Sequence, residues 1–151
     1  MGLVHEKLYR SRDLTKIDVG GYLQNPTTNL FTSYQSKSDG IALKIDVKDV
    51  FLGVDRAIPC GLIINELVSN ALKYAFLRGK KGEIGISLKP DRDRHLTLKV
   101  WDSGVRFPKG LDFRKTETLG LQLVSTLTTQ LEGKIELYRQ GGTEFRIIFK
   151  N

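Results

Sequence analysis

Apolar residues recur with a helical period along 57–76, where Ile63, Leu67, Ala71 and Tyr74 repeat on one face. Elsewhere the period is two. Ile41, Leu43, Ile45 and Val47 alternate with polar residues, as do Ile84, Ile86 and Leu88 and then Leu96, Leu98 and Val100, which is the pattern of half-buried strands. Pro90-Asp91-Arg92-Asp93 sets a turn between the last two runs, so they form a hairpin that ends at Trp101-Asp102. A final hairpin joins 134–138 to 144–149 through Gln140-Gly141-Gly142, and a helix over 119–131 closes at Gly133. Asp55 is expected to cap the long helix, with Pro59 in its first turn.

The remaining segments read less regularly. Residues 3–11 look like a short helical piece cut from a longer helix, with Leu3, Val4, Leu8 and Tyr9 apolar. Asp18 caps a second helix toward residue 34, weakened or kinked by Gly20, Gly21 and Asn25-Pro26. Residues 50–54 add a short strand or an extended link. Residues 103–118 have no period and carry Gly104, Pro108 and Gly110; a loop this long in a small domain is a lid or a binding loop. The order of elements predicts an α/β fold: a two-layer α/β sandwich, its mixed, mainly antiparallel sheet covered by helices on one face.

Composition narrows the function classes. The 151 residues fit one domain with a real core. The net charge of +7 is spread from Lys7 to Lys150 without a dense run, which argues against nucleic acid and suits a polyanionic small ligand or an acidic partner. The single cysteine, Cys60, lies in an apolar run, so no disulfide framework exists and a buried structural thiol is expected. His5 and His95 have no companions at metal-ligand spacing. No segment reaches the ~20 apolar residues of a membrane span. A cytoplasmic setting follows, whether the parent protein is soluble or membrane-bound.

The candidate chemistry starts on the long helix. At 100° per residue, Glu66, Asn70 and Lys73 share one polar stripe. An amide oxygen, a cation and a carboxylate are what a magnesium–phosphate site needs. A solvated face of an amphipathic helix would carry the same stripe, so this helix alone leaves both readings open. Asp102, at a strand end before Ser103-Gly104, can accept from an exocyclic amine or serve only as a turn residue. Gly120 opens the helix after the loop, where bare backbone amides bind phosphate or where two elements pack closely. Thr143 brings a hydroxyl to the start of the last strand.

Taken together, the order and spacing of these motifs make the chain resemble the ATP-binding catalytic domain of sensor histidine kinases. That domain has the Bergerat ATP-binding fold, shared with gyrase, the Hsp90 chaperones and MutL. The Val4-His5-Glu6-Lys7-Leu8-Tyr9 segment and the run Ile58-Pro59-Cys60-Gly61-Leu62-Ile63-Ile64 into Asn65-Glu66-Leu67 resemble one kinase subgroup in particular. The resemblance implies that residues 1–12 end a phosphoacceptor/dimerisation helix and that 13–151 form the catalytic domain. It implies ATP and Mg2+ as cofactors, with Asn70 as the magnesium ligand and Glu66 as the carboxylate near the attacking group. Lys73 would contact phosphate and Tyr74 would lie close to the nucleotide. Asp102 would accept from the adenine amine, Gly104 would leave room for the base, Gly120 and Leu121 would border the triphosphate, and Thr143 would support adenine.

The implied partners are the phosphoacceptor/dimerisation helices of the parent kinase and, downstream, a response regulator. The implied activity is that of a protein-histidine kinase whose γ-phosphoryl group goes to a histidine elsewhere; the isolated chain is not expected to phosphorylate itself. One position departs from the family's Asp-x-Gly-x-Gly pattern, because Arg106 stands at the second glycine of Asp102-Ser103-Gly104-Val105-Arg106. His5 sits outside the family's acceptor position and is not the expected phosphorylation site. Rival readings are another Bergerat-type ATPase, an anti-sigma-factor-type serine kinase, or a nucleotide-binding interaction module without catalysis.

Overall fold

The alternating runs form strands, and the apolar half of each faces the helices. The computed structural model describes residues 16–33, 40–75, 81–104 and 119–151, with the backbone alone at 74, 75 and 119. Its elements are β1 (Lys16–Asp18), α1 (Val19–Ser33), β2 (Ile41–Asp46), β3 (Phe51–Gly53) and α2 (Val54–Asn70). A π-helical turn (Ala71–Ala75) extends α2, and β4 (Gly82–Pro90), β5 (His95–Asp102), α3 (Leu119–Gln130), β6 (Lys134–Tyr138) and β7 (Thr143–Lys150) follow. Five strands make one sheet in the order β2-β4-β5-β7-β6, while β1 and β3 form a small separate pair. β2 runs parallel to β4, and the other neighbours in the large sheet are antiparallel. The expected two-layer, mainly antiparallel arrangement is what the chain adopts.

Ile84, Ile86 and Leu88 of β4, Leu96, Leu98 and Val100 of β5, and Phe145, Ile147 and Phe149 of β7 are buried on the helical side. Against them α2 packs Ala57, Cys60, Ile63, Ile64, Leu67 and Val68, and α3 packs Leu121, Val124 and Leu127. Each such aliphatic side chain contributes roughly 1.5–3 kcal/mol on full burial, so this seam dominates stability. Arg56 near the start of α2 donates to the carbonyl of Leu131 just past α3, tying opposite ends of the two helices. On the other sheet face, Arg146 lies 3.9 Å over the Tyr138 ring and pairs with Glu144 at 2.5 Å.

Several local expectations are corrected. Asp55 does not cap α2: the cap is Gly53, with no side-chain bond, and Asp55 lies in the first turn. A carboxylate there still favours the helix through its macrodipole. Pro59 is consequently deeper than the first turn, inside a helix that starts at Val54. The end of α3 is a Schellman motif in which Glu132, not glycine, takes the left-handed position at φ 55°. Gly133 follows and donates to the Thr128 carbonyl at 3.0 Å, while Glu132 donates to Thr129 at 2.9 Å. β1 was not anticipated, since three residues carry too little alternation to read. The helical piece at 3–11, the 1–12 assignment, His5, Arg106 and the rest of the expected lid at 105–118 lie outside the described residues. Among the described residues, no helix is long and apolar enough to cross a membrane.

Candidate functional site

Glu66 and Asn70 lie one turn apart on α2 and are both half-buried. The first turn of α3 comes down on them: a β-carbon on Gly120 would lie 2.6 Å from Glu66 Oε2 and 3.7 Å from Asn70 Nδ2. The approach is possible because Gly120 has no side chain. Leu121, 6% exposed, sends its side chain into the core and anchors the turn, so its backbone is what it can offer a ligand. The first N–H groups of a helix have no intrahelical partner and carry the positive end of its dipole. Glu66, Asn70 and Gly120 thus gather a carboxylate, an amide and an anion-binding helix end.

Lys73 falls in the π turn and is exposed. The i→i+5 spacing there breaks the 100° progression that put it on the stripe of Glu66 and Asn70. Tyr74 occupies the same turn. π-helical turns cluster at functional positions, and periodicity could not have shown this one.

A second group forms where β5 ends. Asp102 sits in register between Ile84 of β4 and Thr143 of β7. Its Oδ1 accepts from the Gly104 amide at 2.9 Å. Burial pushes the Asp102 carboxyl up to about 6, against the pull of that amide. Thr143 is 6% exposed beside it. Two residues not singled out from the sequence hold this corner. Ser103 donates from its amide to the Glu83 carbonyl at 3.0 Å, and its Oγ accepts from the Glu83 amide at 2.8 Å. Gly142, at φ 132°, lets the β6–β7 turn press on β5; a β-carbon there would lie 2.0 Å from the Asp102 carbonyl oxygen. A serine after a strand-end aspartate and a paired glycine turn were the available signals. α2 packs against β5, so the two groups lie on facing layers of the sandwich. Cys60, by contrast, is buried with its thiol pushed up to about 12, chiefly by desolvation, and is inert.

The model for the histidine kinase-, DNA gyrase B- and HSP90-like ATPases matches residues 55–151. The chain belongs to that family. It is an ATP-binding catalytic domain of the histidine-kinase type, and a second family model, described as histidine kinase, matches residues 1–34. The sensor histidine kinase PdtaS of Mycolicibacterium smegmatis is 39% identical over 98 residues, which is 62% of this chain and 19% of PdtaS. The chain therefore spans about one fifth of that curated relative. Among solved structures, the histidine kinase domain of the Erythrobacter litoralis blue-light-activated histidine kinase superposes with a TM-score of 0.81 at 24% identity, covering 89% of this chain and 67% of that one. Full-length ShkA in complex with AMPPNP gives a TM-score of 0.69 at 19% identity, covering 89% of this chain and 30% of that one. The last two establish the shared fold.

Proposed function

We propose that this ATPase-family domain binds Mg-ATP as the catalytic domain of a two-component sensor histidine kinase. In this reading the γ-phosphoryl group passes to a histidine on the parent's phosphoacceptor helices, and then to a response regulator. The observation that carries the reading is the contact of Glu66 and Asn70 with Gly120 at the start of α3. Phosphoryl transfer depends mostly on positioning and charge neutralisation, and this contact supplies a carboxylate, an amide ligand and an anion-binding helix end.

The residues present fit both groups. A single amide ligand at Asn70 suits magnesium carried on a nucleotide, which takes one or two protein ligands alongside phosphate oxygens and waters. The cation, when bound, would neutralise charge on the transferring phosphoryl group. The Gly120 notch at the N-terminus of α3 suits a phosphate. Asp102 keeps a desolvated carboxyl whose Oδ1 is fixed by Gly104, leaving Oδ2 to accept from an adenine amine. Thr143 is in register beside that carboxyl. Glu66 would orient or deprotonate the attacking imidazole, Lys73 would approach the phosphates, and Tyr74 would flank the nucleotide. The AMPPNP complex of ShkA, a protein of the same fold, is consistent with this assignment.

Calorimetric titration with Mg-ADP tests it. The unsubstituted chain should bind, and Asp102→Ala should weaken binding by about 1–3 kcal/mol, because the adenine amine loses a charged acceptor. Equal affinity in the variant removes the adenine assignment.

A further inference from the structure

Both chain neighbours of Asp102 are tied to β4, and one of the two ties is made by a hydroxyl where the main chain is expected. On one side, Trp101 lays its indole over β4: a β-carbon on its cross-strand partner Gly85 would lie 1.9 Å from Cζ2. On the other, Ser103 carries the pairing one step past Ile84 and Asp102, the pair at this end of the β4–β5 ladder. The Ser103 amide donates to the Glu83 carbonyl at 3.0 Å. In a regular antiparallel pair the two residues exchange both main-chain bonds, and the Glu83 amide would donate to the Ser103 carbonyl. It donates instead to Ser103 Oγ at 2.8 Å. The side chain stands in for the carbonyl.

That substitution decides where the next amide points. The Ser103 carbonyl and the Gly104 N–H belong to one planar peptide unit and face opposite ways. A carbonyl drawn onto Glu83, as the regular exchange requires, would turn the Gly104 N–H away from Asp102. With Oγ in its place the peptide is released from the ladder, and the Gly104 amide reaches Asp102 Oδ1 at 2.9 Å. This bond sets the plane of the carboxylate and with it the direction of Oδ2. The backbone of Asp102 has no room to compensate, because a β-carbon on Gly142 would already lie 2.0 Å from its carbonyl oxygen. Ser103 itself is exposed, so replacing it empties no part of the core.

We infer that Ser103 is a positioning residue for purine recognition: by taking the Glu83 amide in place of its own carbonyl, its hydroxyl aims Oδ2 of Asp102 at the exocyclic amine of adenine. This inference rests on the nucleotide-binding reading given above. A hydrogen bond weakens steeply as it departs from linear, so a turned carboxylate loses the amine while the contacts offered to phosphate at Gly120 stay as they are. The test compares Mg-ADP with the magnesium complex of purine riboside 5′-diphosphate, which lacks the 6-amino group, by calorimetry on this chain. The unsubstituted chain should prefer Mg-ADP at least fivefold. Ser103→Ala should weaken Mg-ADP roughly three- to tenfold and leave the amine-free nucleotide within twofold, so that the preference collapses. Retained affinity for the amine-free nucleotide also shows that the variant is folded. Ser103→Thr keeps the hydroxyl and should keep the preference. An equal loss for both nucleotides in Ser103→Ala marks a merely structural role and overturns the inference, as does an undiminished preference. A preference lost in Ser103→Thr as fully as in Ser103→Ala takes the effect away from the hydroxyl and overturns it too. If the unsubstituted chain binds Mg-ADP without preferring it, the adenine assignment of Asp102 fails and the role of Ser103 falls with it, whereas a preference that survives Ser103→Ala sinks the role of Ser103 alone.

Discussion

The carboxylate of Glu66 occupies the space that a side chain on Gly120 would need: a β-carbon there would lie 2.6 Å from Oε2. The clash is with the far end of a flexible side chain, so the backbone of α3 need not move. Gly120→Ala should fold normally, with a melting temperature close to the parent's, while pushing the Glu66 carboxylate aside. Displacing a catalytic group by about 1 Å lowers turnover by up to ~100-fold. We expect phosphoryl transfer to a histidine domain supplied in trans to fall at least tenfold, with Mg-ADP affinity reduced far less. Unchanged transfer in Gly120→Ala would detach Glu66 from the chemistry.

Asp102 gives nucleotide binding a defined pH dependence. Its carboxyl is pushed up to about 6 from the ordinary 3.8, chiefly by burial. An adenine amine donates a hydrogen bond and so favours the ionised acceptor. Binding should therefore weaken as pH falls through 6 and release a proton near that pH. Calorimetry of Mg-ADP binding in buffers of different ionisation enthalpy reads the proton directly. Asp102→Asn should abolish this dependence, and persistence of it would place the titrating group elsewhere.

The same shift has an opposite consequence for the empty fold. Between 3.8 and 6 the native state holds the Asp102 proton more tightly than the unfolded chain. Its contribution to stability accordingly declines as pH rises through that window and stays unfavourable above it. Asparagine keeps the acceptor for the Gly104 amide without the charge. Asp102→Asn should stabilise the nucleotide-free domain at pH 7.5 by on the order of 1–2 kcal/mol, and by nothing near pH 3.5. Urea midpoints at the two pH values check this, and a gain of equal size at both would exclude the electrostatic cause.

These relationships show what one-dimensional reading can and cannot reach. Strand periodicity located β4, β5, β6 and β7 because alternation reports a one-sided environment, and the i, i+4 spacing put Glu66 beside Asn70 because an α-helix fixes it. The π-helical winding that carries Lys73 left no sign in the sequence of Ala71–Ala75. Asp55 and Gly133 were given capping roles by residue type, yet Gly53 and Glu132 hold those positions. Arg56 donates to the Leu131 carbonyl and Gly133 lies close against β7 at those ends, and such tertiary contacts leave no local trace. Ser103 and Gly142 act through partners 20 and 40 residues away, Glu83 and Asp102.

Glu132 provides a stability test independent of any ligand. It holds a left-handed conformation at φ 55°, which is unfavourable for a residue with a side chain by roughly 1–2 kcal/mol. Glycine removes that strain but adds disorder to the unfolded chain, worth about 0.4–1 kcal/mol. Glu132→Gly should therefore raise unfolding free energy by about 0.5–1 kcal/mol, seen as a higher urea midpoint with unchanged slope. A lower midpoint would mean that the Glu132 side chain itself supports the end of α3.

Lys73 separates the two parts of the proposed site. It is exposed and sits in the π turn that follows α2. A cation in water gains little from a phosphate, because its own hydration is nearly as favourable; exposed ion pairs contribute about 0.2–1 kcal/mol. Glu66 and Asn70, half-buried against the start of α3, act where water is scarcer and charge is felt more strongly. Lys73→Ala should consequently lower Mg-ATP affinity by no more than about fivefold and leave Mg-ADP affinity unchanged. Asn70→Ala should weaken both nucleotides, since its amide would serve the metal that accompanies either one. If Lys73→Ala instead loses more than tenfold in Mg-ATP affinity with Mg-ADP intact, then ATP draws the π turn inward and Lys73 reads the γ-phosphate from a desolvated position.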